Sequence, residues 1–482
     1  MTTMRSIVSI LSILSLTILI FSSCRKDSFT TNASDKLAFS TDTLTFDTVF
    51  TTLGSTTLYF TVHNPNDQKI SISNIHLSGG ENSIFRLNID GQAINQAANV
   101  EIPANDSIYV FVAVTVDPNI ENNPFVMYDS VLFETNGNLQ SVTLQAWGQN
   151  ANFIYGEVIG TQTWTAEKPY VIIHSILVDS NEVLTIQPGC RIFMHADSRF
   201  YVQGTLKVMG QINDSVIFRG DRLEQYYVDD PGNWEGIHLL RSSKDSEINY
   251  AVIQEAIVGI RVDSLKETAA PKLTMRNSQI RFTLSSGLLG ITSDIYAENC
   301  LIHACGEWNV QLEYGGNYKF ENCTFANYSS ILINHQTPVA RLSNYFAYLD
   351  EQGMEQVLLA DLNASFRNCI IYGSLQKELD LDPSADAAFN FTFDHCLIKV
   401  NEDIDTTVTS FVDCLFNLDP LFLDPYDFDD YHLSESSPCI NAAVANGINI
   451  DLDGQLRSDG IPDIGCYEFK PECREQDFDS KK

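Results

Sequence analysis

The chain predicts an all-β protein, an N-terminal β-sandwich followed by a right-handed parallel β-helix. Three observations carry this prediction. From about Leu37 to Gly148, short stretches alternate apolar and polar residues between turn clusters, the pattern of half-buried strands. From Asn277 onward a four-residue signature recurs at intervals of 22, 23, 46, 27 and 18 residues, as expected of one short strand per turn of a solenoid. The second residue of that signature is repeatedly cysteine, at Cys300, Cys323, Cys369, Cys396 and Cys414. A second sandwich accounts for alternation but not for a cysteine held in register.

Met1 to Arg5 is a short head with one positive charge, Ile7 to Phe21 is an apolar run, and Ser22, Ser23 and Cys24 follow. A basic head, a short apolar core and small residues before a cut describe a signal peptide; a spanning helix needs ~20 apolar residues. The cysteine at the cut resembles a lipobox. The resemblance implies residues 1–24 as a lipoprotein signal peptide, with Cys24 as the acylated first residue of the mature chain. Lys26-Asp27 resembles the surface-export tag of Bacteroidetes lipoproteins, which implies an outer-membrane protein facing the cell exterior. Membrane attachment is then through the lipid alone. Residues 25–36, polar and rich in Ser, Thr and Asp, read as a flexible tether.

A chain of 482 residues with 44% hydrophobic residues has room for two or three domains and a sizeable core. Its 62 acidic and 29 basic side chains give a formal charge of −33. That field repels nucleic acid, anionic lipid headgroups and acidic polysaccharides, so no nucleic-acid partner is expected.

The first folded unit spans residues 37–150. Thr57 to Val62 and Ser107 to Val114 alternate as strands, and His63-Asn64-Pro65-Asn66-Asp67 and Ser78-Gly79-Gly80 separate strands as turns. Gly54, the strand ending in Val62-His63-Asn64, the Phe85 segment, Asp129 to Phe133 and Val142 to Gly148 follow in an order that resembles the hydin-type immunoglobulin-like domains of bacterial surface proteins. Such domains are spacers or adhesion modules.

The second unit spans residues 151–417. Its signature reads Asn277-Ser278-Gln279-Ile280, Asn299-Cys300-Leu301-Ile302, Asn322-Cys323-Thr324-Phe325, Asn368-Cys369-Ile370-Ile371, His395-Cys396-Leu397-Ile398 and Asp413-Cys414-Leu415-Phe416. Alternation sends Cys300 and Ile302 to one side and Leu301 to the other. Stacked coils set like on like, so the cysteines form an internal ladder. The polar residue before each cysteine suits a bend, because Asn tolerates left-handed dihedrals. The interval of 46 is twice 23, and Arg341 to Asp361 is the expected insertion. In this register Cys323→Asp should cripple folding while Thr324→Asp, facing out, is tolerated. Earlier copies, Val183 to Gly189, Phe200 to Val208, Val216 to Gly220 and Asn233 to Leu239, resemble the opening coils of the pectin-lyase-like superfamily.

Residues 418–470 carry Asp419-Pro420-Leu421-Phe422, Ser437-Pro438-Cys439-Ile440-Asn441, Asp451-Leu452-Asp453-Gly454, Arg457 and Asp463 to Phe469. This resembles the C-terminal closing segment of bacterial β-helix proteins, including those called choice-of-anchor; a solenoid's last coil needs such a cap. Residues 471–482 form a charged tail expected to be disordered. Cys439 with Cys466 is the expected disulfide in an oxidising compartment.

The resemblance to pectin-lyase-like folds implies polysaccharide lyases or glycoside hydrolases, but no catalytic motif of that superfamily is present to carry over. Asp229-Asp230 precedes Pro231-Gly232 and reads as a turn. Asp451 and Asp453 are candidate calcium ligands; without the EF-hand order of donors, a capping turn with Arg457 paired to an acid is the preferred reading. No other cofactor is expected. Tyr226, Tyr227, Trp234 and Trp308 are the candidate ligand-stacking residues, and packing between coils is the competing reading. His174, His195, His238, His303 and His335 read as surface or turn residues. The expected function is a non-catalytic, lipid-anchored envelope protein whose β-helix face binds a polysaccharide or a surface protein. The alternative is a polysaccharide lyase or glycoside hydrolase on the same fold.

Overall fold

The structure, a computed structural model, describes residues 28–51, 53–117, 125–457 and 460–470. The expected signal peptide, Cys24, the Lys26-Asp27 pair and the expected tail therefore lie outside the described residues. The chain divides into two compact units at Asn150.

The first unit is a two-sheet sandwich. One sheet has four antiparallel strands in the order Ala38–Phe39, Leu58–His63, Ser107–Val114, Phe85–Ile89. The other has five, in the order Thr43–Phe50, Asn138–Gln149, Phe125–Thr135, Ile70–Leu77, Gln96–Ile102, with only the first pair parallel. Alternation builds the core: Ile108, Val110, Val112 and Val114 from one sheet meet Ile72, Ile75, Phe133 and Leu144 from the other in one buried cluster. The expected tether is bound where it is described. Phe29 bridges to Lys69, whose ammonium lies 5.2 Å from its ring, and Asn138 Nδ2 donates to Ala33 O at 2.9 Å.

The second unit is a parallel β-helix. Eleven short strands stack in one sheet, from Asn152–Tyr155 through Leu301–Cys305, Thr324–Asn327 and Ile370–Gly373 to Leu415–Phe416. The remaining strands of each coil form a continuous second assembly of 17 strands. The signature falls where the sequence requires. Cys300, Cys323, Cys369 and Cys396 are fully buried with Ile302, Phe325, Ile371 and Ile398 in a single interior cluster. The residue that opens each signature turns the chain with positive φ, between 46° and 55° at Asn277, Asn299, Asn322, Asn368, His395 and Asp413. Asn stands in four of these six because it tolerates the left-handed region. Adjacent bends are also tied together, Asn299 Nδ2 to Asn277 Oδ1 at 3.2 Å and Asn277 Nδ2 to Asn249 Oδ1 at 3.0 Å.

Identical neighbours also stack inside. Phe320, Phe366, Phe393 and Phe411 form a column with centroid spacings of 4.8, 4.7 and 5.4 Å and interplanar angles under 20°. The coil repeat of ~4.8 Å is close to the stacking distance of aromatic rings. The 46-residue interval is one coil, since Thr324–Asn327 pairs directly with Ile370–Gly373. Its extra length is the loop of residues 328–339 and an antiparallel hairpin, Tyr345–Leu349 with Glu355–Leu359. Ala340–Ser343 remains a solenoid strand.

The C-terminal segment departs from expectation. It runs along the flank of the eleven-stranded sheet, back towards earlier coils. Tyr431, Leu433, Cys439, Ile464, Cys466 and Tyr467 form a second core with the outward-facing Leu301, Ala326, Ile370 and Leu397. The third signature residue is aliphatic in most copies, so this outer face is apolar and has to be covered. Thr324 is consequently only 1% exposed, its hydroxyl accepting Cys466 N at 3.0 Å, which corrects the expectation that it faces solvent.

Cys439 and Cys466 are free thiols, correcting the expected bridge. Ile464 N pairs with Cys439 O, whereas Cys466 turns towards Thr324 and the cysteine ladder. Burial pushes the Cys439 thiol up to about 12.

His432 pins this segment. Its Nδ1 meets Asp430 at 2.6 Å, its Nε2 meets Asp453 at 2.9 Å, and its ring stacks on Tyr467 at 3.9 Å. Burial opposes the imidazolium, but the two carboxylates outweigh it and hold the group up at about 10. A raised folded-state value means stabilisation that is complete below the ordinary value of 6.5 and lost as pH climbs through about 10. His432→Gln should therefore lower the melting temperature at pH 6, with the gap to wild type closing between about 6.5 and 10. A gap that stays constant over that range would show that the imidazolium contributes nothing.

Candidate functional site

An open concavity of the β-helix lies on the outer face of four neighbouring strands, Leu288–Glu298, Val310–Glu321, Leu362–Arg367 and Phe389–Asp394. Strict register turns their outward side chains into rows. Asp294, Asn317, Asn363 and Asn390 are successive partners, as are Tyr296, Lys319, Ser365 and Thr392, and Glu298, Glu321, Arg367 and Asp394. The first two rows, with Lys266, Pro271 and Phe391, line an open depression of about 670 Å³.

The first row is a hydrogen-bonded ladder. Asn317 Nδ2 donates to Asp294 Oδ1 at 2.9 Å, Asn363 Nδ2 to Asn317 Oδ1 at 3.0 Å, and Asn390 Nδ2 to Asn363 Oδ1 at 2.9 Å. Each amide has two donors and two acceptor lone pairs, so the ladder leaves further capacity facing solvent. Asn363 and Asn390 are exposed. The spacing between rungs is that of the coils, ~4.8 Å.

Every carboxylate at this site is engaged. Asp294, the one acid lining the depression, accepts Lys266 N at 2.6 Å as well as Asn317. In the third row Arg276 Nε meets Glu298 at 2.8 Å, Lys319 Nζ meets Glu321 at 2.9 Å and Arg367 Nε meets Asp394 at 2.8 Å. The Tyr296 hydroxyl sits between Glu298 and Glu321. Burial and then the Glu298 bond push the phenol upward. Hydrolysis of a glycosidic bond asks for two carboxyl groups on opposite sides of that bond. Glu298 and Glu321 instead stand side by side on one face, as partners in register.

The aromatic residues singled out in the sequence do not gather here. Trp234 is fully buried, its Nε1 donating to Gln254 O at 2.8 Å, so it packs between coils and offers no stacking surface. Tyr226 is 85% exposed, edge-on to Tyr227 at 5.3 Å, and Arg222 lies 4.3 Å from the Tyr227 ring. Trp308 is half-buried, with its indole N–H enclosed. None of the four lines the depression.

The calcium candidates also separate. Asp451 accepts Gln455 N at 2.6 Å and Glu468 N at 2.9 Å as a capping turn, while Asp453 is held by His432. Among the described residues no three metal-ligating side chains converge. His303 and His335 are buried, contrary to the surface reading. Missed altogether were Tyr296, Asn317, Lys319, Asn363 and Asn390. A signal for the ladder was present, because its Asp or Asn stands five residues before the bend residue in four consecutive signatures.

No protein-family model matches the chain, and no curated protein matches it. Solved structures with a likeness include the catalytic domain of a GH87 alpha-1,3-glucanase in complex with tetrasaccharides, at 10% identity over 71% of this chain and 82% of that one, with a TM-score of 0.19. A family 123 glycoside hydrolase from Clostridium perfringens matches at 8% identity over 27% of this chain and 30% of its own, with a TM-score of 0.17. The VesB protease of Vibrio cholerae matches at 14% identity over 25% of this chain, with a TM-score of 0.18, and the match spans 33% of that protease. Likenesses at these scores carry no argument about activity.

Proposed function

We propose that the β-helix binds an extended, hydroxyl-rich polymer, a neutral polysaccharide, along the rows of its concave face, and that it does not cut the chain there. The observation that carries this reading is the Asp294–Asn317–Asn363–Asn390 ladder. A row of amides at constant spacing offers repeating donors and acceptors to a ligand that itself repeats. Tyr296 and Phe391 border the ladder with ring surface. The charge of −33 favours neutral over acidic chains. In the same proposal Cys24 carries lipid and holds the protein at the outer membrane.

The test is calorimetric titration of the mature protein with neutral and acidic polysaccharides, calcium present, alongside a reducing-sugar assay. Asn363→Ala with Ser365→Ala should weaken binding of a neutral chain by about tenfold, equivalent to ~1.4 kcal/mol, without shifting the melting temperature. Equal binding by wild type and the double variant would overturn the site. Release of reducing ends would return the protein to the glycoside hydrolases, and unsaturated products absorbing in the ultraviolet would return it to the lyases.

A further inference from the structure

Away from the concave face, a serine, a histidine and a glutamate stand in line. Ser374 is exposed in the turn that follows the strand Ile370–Gly373. Its Oγ is 3.0 Å from His335 Nδ1. The other ring nitrogen, Nε2, is 3.2 Å from Glu378 Oε2, and both of those side chains are completely buried. Nε2 is not aligned as a hydrogen-bond donor to that oxygen, so the relay needs a small rotation of the ring to close.

The rest of the turn fixes the acid. Glu378 Oε1 accepts Leu375 N at 2.7 Å and Oε2 accepts Val339 N at 3.2 Å. Gly373 makes this approach possible, since a Cβ there would lie 2.4 Å from Glu378 Oε1 and 2.5 Å from Asn327 O. Lys399 Nζ donates to Gly373 O at 2.6 Å, which sets a cation beside the serine's own peptide. The loop that supplies His335 also presents Ile331, wholly exposed, and Leu332, an apolar surface suited to an acyl group.

We infer that Ser374, His335 and Glu378 form an acyl-transfer site that hydrolyses carboxylic esters of short acyl chains, such as those borne on hydroxyl-rich polymers. The constellation is recognised by geometry and roles, whatever the fold or chain order. Ser374 Oγ attacks the ester carbonyl carbon and its proton passes to His335 Nδ1, while Nε2–H faces the Glu378 carboxylate. The carbon–oxygen bond to the alcohol then breaks, and the alcohol leaves with the proton from Nδ1. Water attacks the acyl-serine, giving its proton to His335; the carboxylic acid departs and Ser374 Oγ regains its hydrogen. Ser374 is the nucleophile, His335 the base and acid, and Glu378 the positioning residue.

The experiment uses the mature full chain with p-nitrophenyl acetate as substrate and a fluorophosphonate as a serine-directed probe. The expected result is nitrophenol release, with the probe recovered on the peptide containing Ser374 by mass spectrometry. Ser374→Ala, an exposed change that leaves melting unaltered, should abolish labelling and lower turnover at least about a thousandfold. Glu378→Gln should slow labelling of Ser374 and lower kcat with KM held. Absence of label at Ser374, or equal turnover by Ser374→Ala and wild type, would overturn the site. An unchanged labelling rate in a folded Glu378→Gln protein would overturn the relay. Polysaccharide binding is read separately, so its failure leaves this result intact.

Discussion

Replacing Arg457 with alanine is expected to destabilise the β-helix by about 3–5 kcal/mol, the range for breaking a buried ion pair by removing one partner. The Arg457 side chain is 1% exposed and its partner Glu468 is 4% exposed, with Nη1 to Oε1 at 2.8 Å. The same guanidinium donates to Gly465 O at 2.9 Å and to Asn299 Oδ1 at 3.1 Å. One side chain thus ties the C-terminal segment to itself and to a bend of the solenoid. Its removal strands the Glu468 carboxyl, which burial already holds up at about 7, and uncovers Leu301 and Ile370. Denaturant unfolding followed by intrinsic fluorescence measures the loss. A change below about 1 kcal/mol, the range of a surface pair, would show that the segment is held elsewhere.

Cys323→Asp and Thr324→Asp are both expected to prevent stable folding. Each would bury a carboxylate without a partner, at a cost of several kcal/mol or an upward shift that neutralises it. Cys323 lies within the apolar interior of the solenoid, its thiol 3.4 Å from Glu321 O. Thr324 points the opposite way but is sealed beneath Cys466. From strand alternation alone the two variants should differ sharply; the covered flank makes them alike. Circular dichroism melts of both proteins decide the matter, and a wild-type melt for Thr324→Asp would mean that the segment does not sit on this face.

The signature carried most of this fold because it is local and periodic. A bend needing positive φ selects Asn, and the next inward position selects a small apolar residue, so each coil wrote the same letters. The insertion was legible as a doubled interval for the same reason. The role of Trp234 was not legible in the sequence, because a large ring reads alike whether it stacks on a ligand or fills the space between coils; its burial and its bond to Gln254 O separate the two. The rows of the concave face were legible only in part. The Asp294, Asn317, Asn363 and Asn390 positions keep constant spacing from the bend, but one row among several polar positions gains meaning only when depth sets it apart.

By itself the sequence determined the all-β class, the coil repeat, the inward register of Cys300, Cys323, Cys369 and Cys396, and the net charge of −33. Those follow from composition and from spacings within one coil, which short-range sterics and alternation dictate. Only the tertiary structure decided what covers Leu301 and Thr324, which carboxylates are engaged, and that Ser374, His335 and Glu378 converge. Those depend on where segments of unlike sequence meet: Cys466 lies 142 residues beyond Thr324, and Ser374 lies 39 beyond His335. No periodic rule links such pairs, because each is set by the closing of a surface and not by the repetition of a turn.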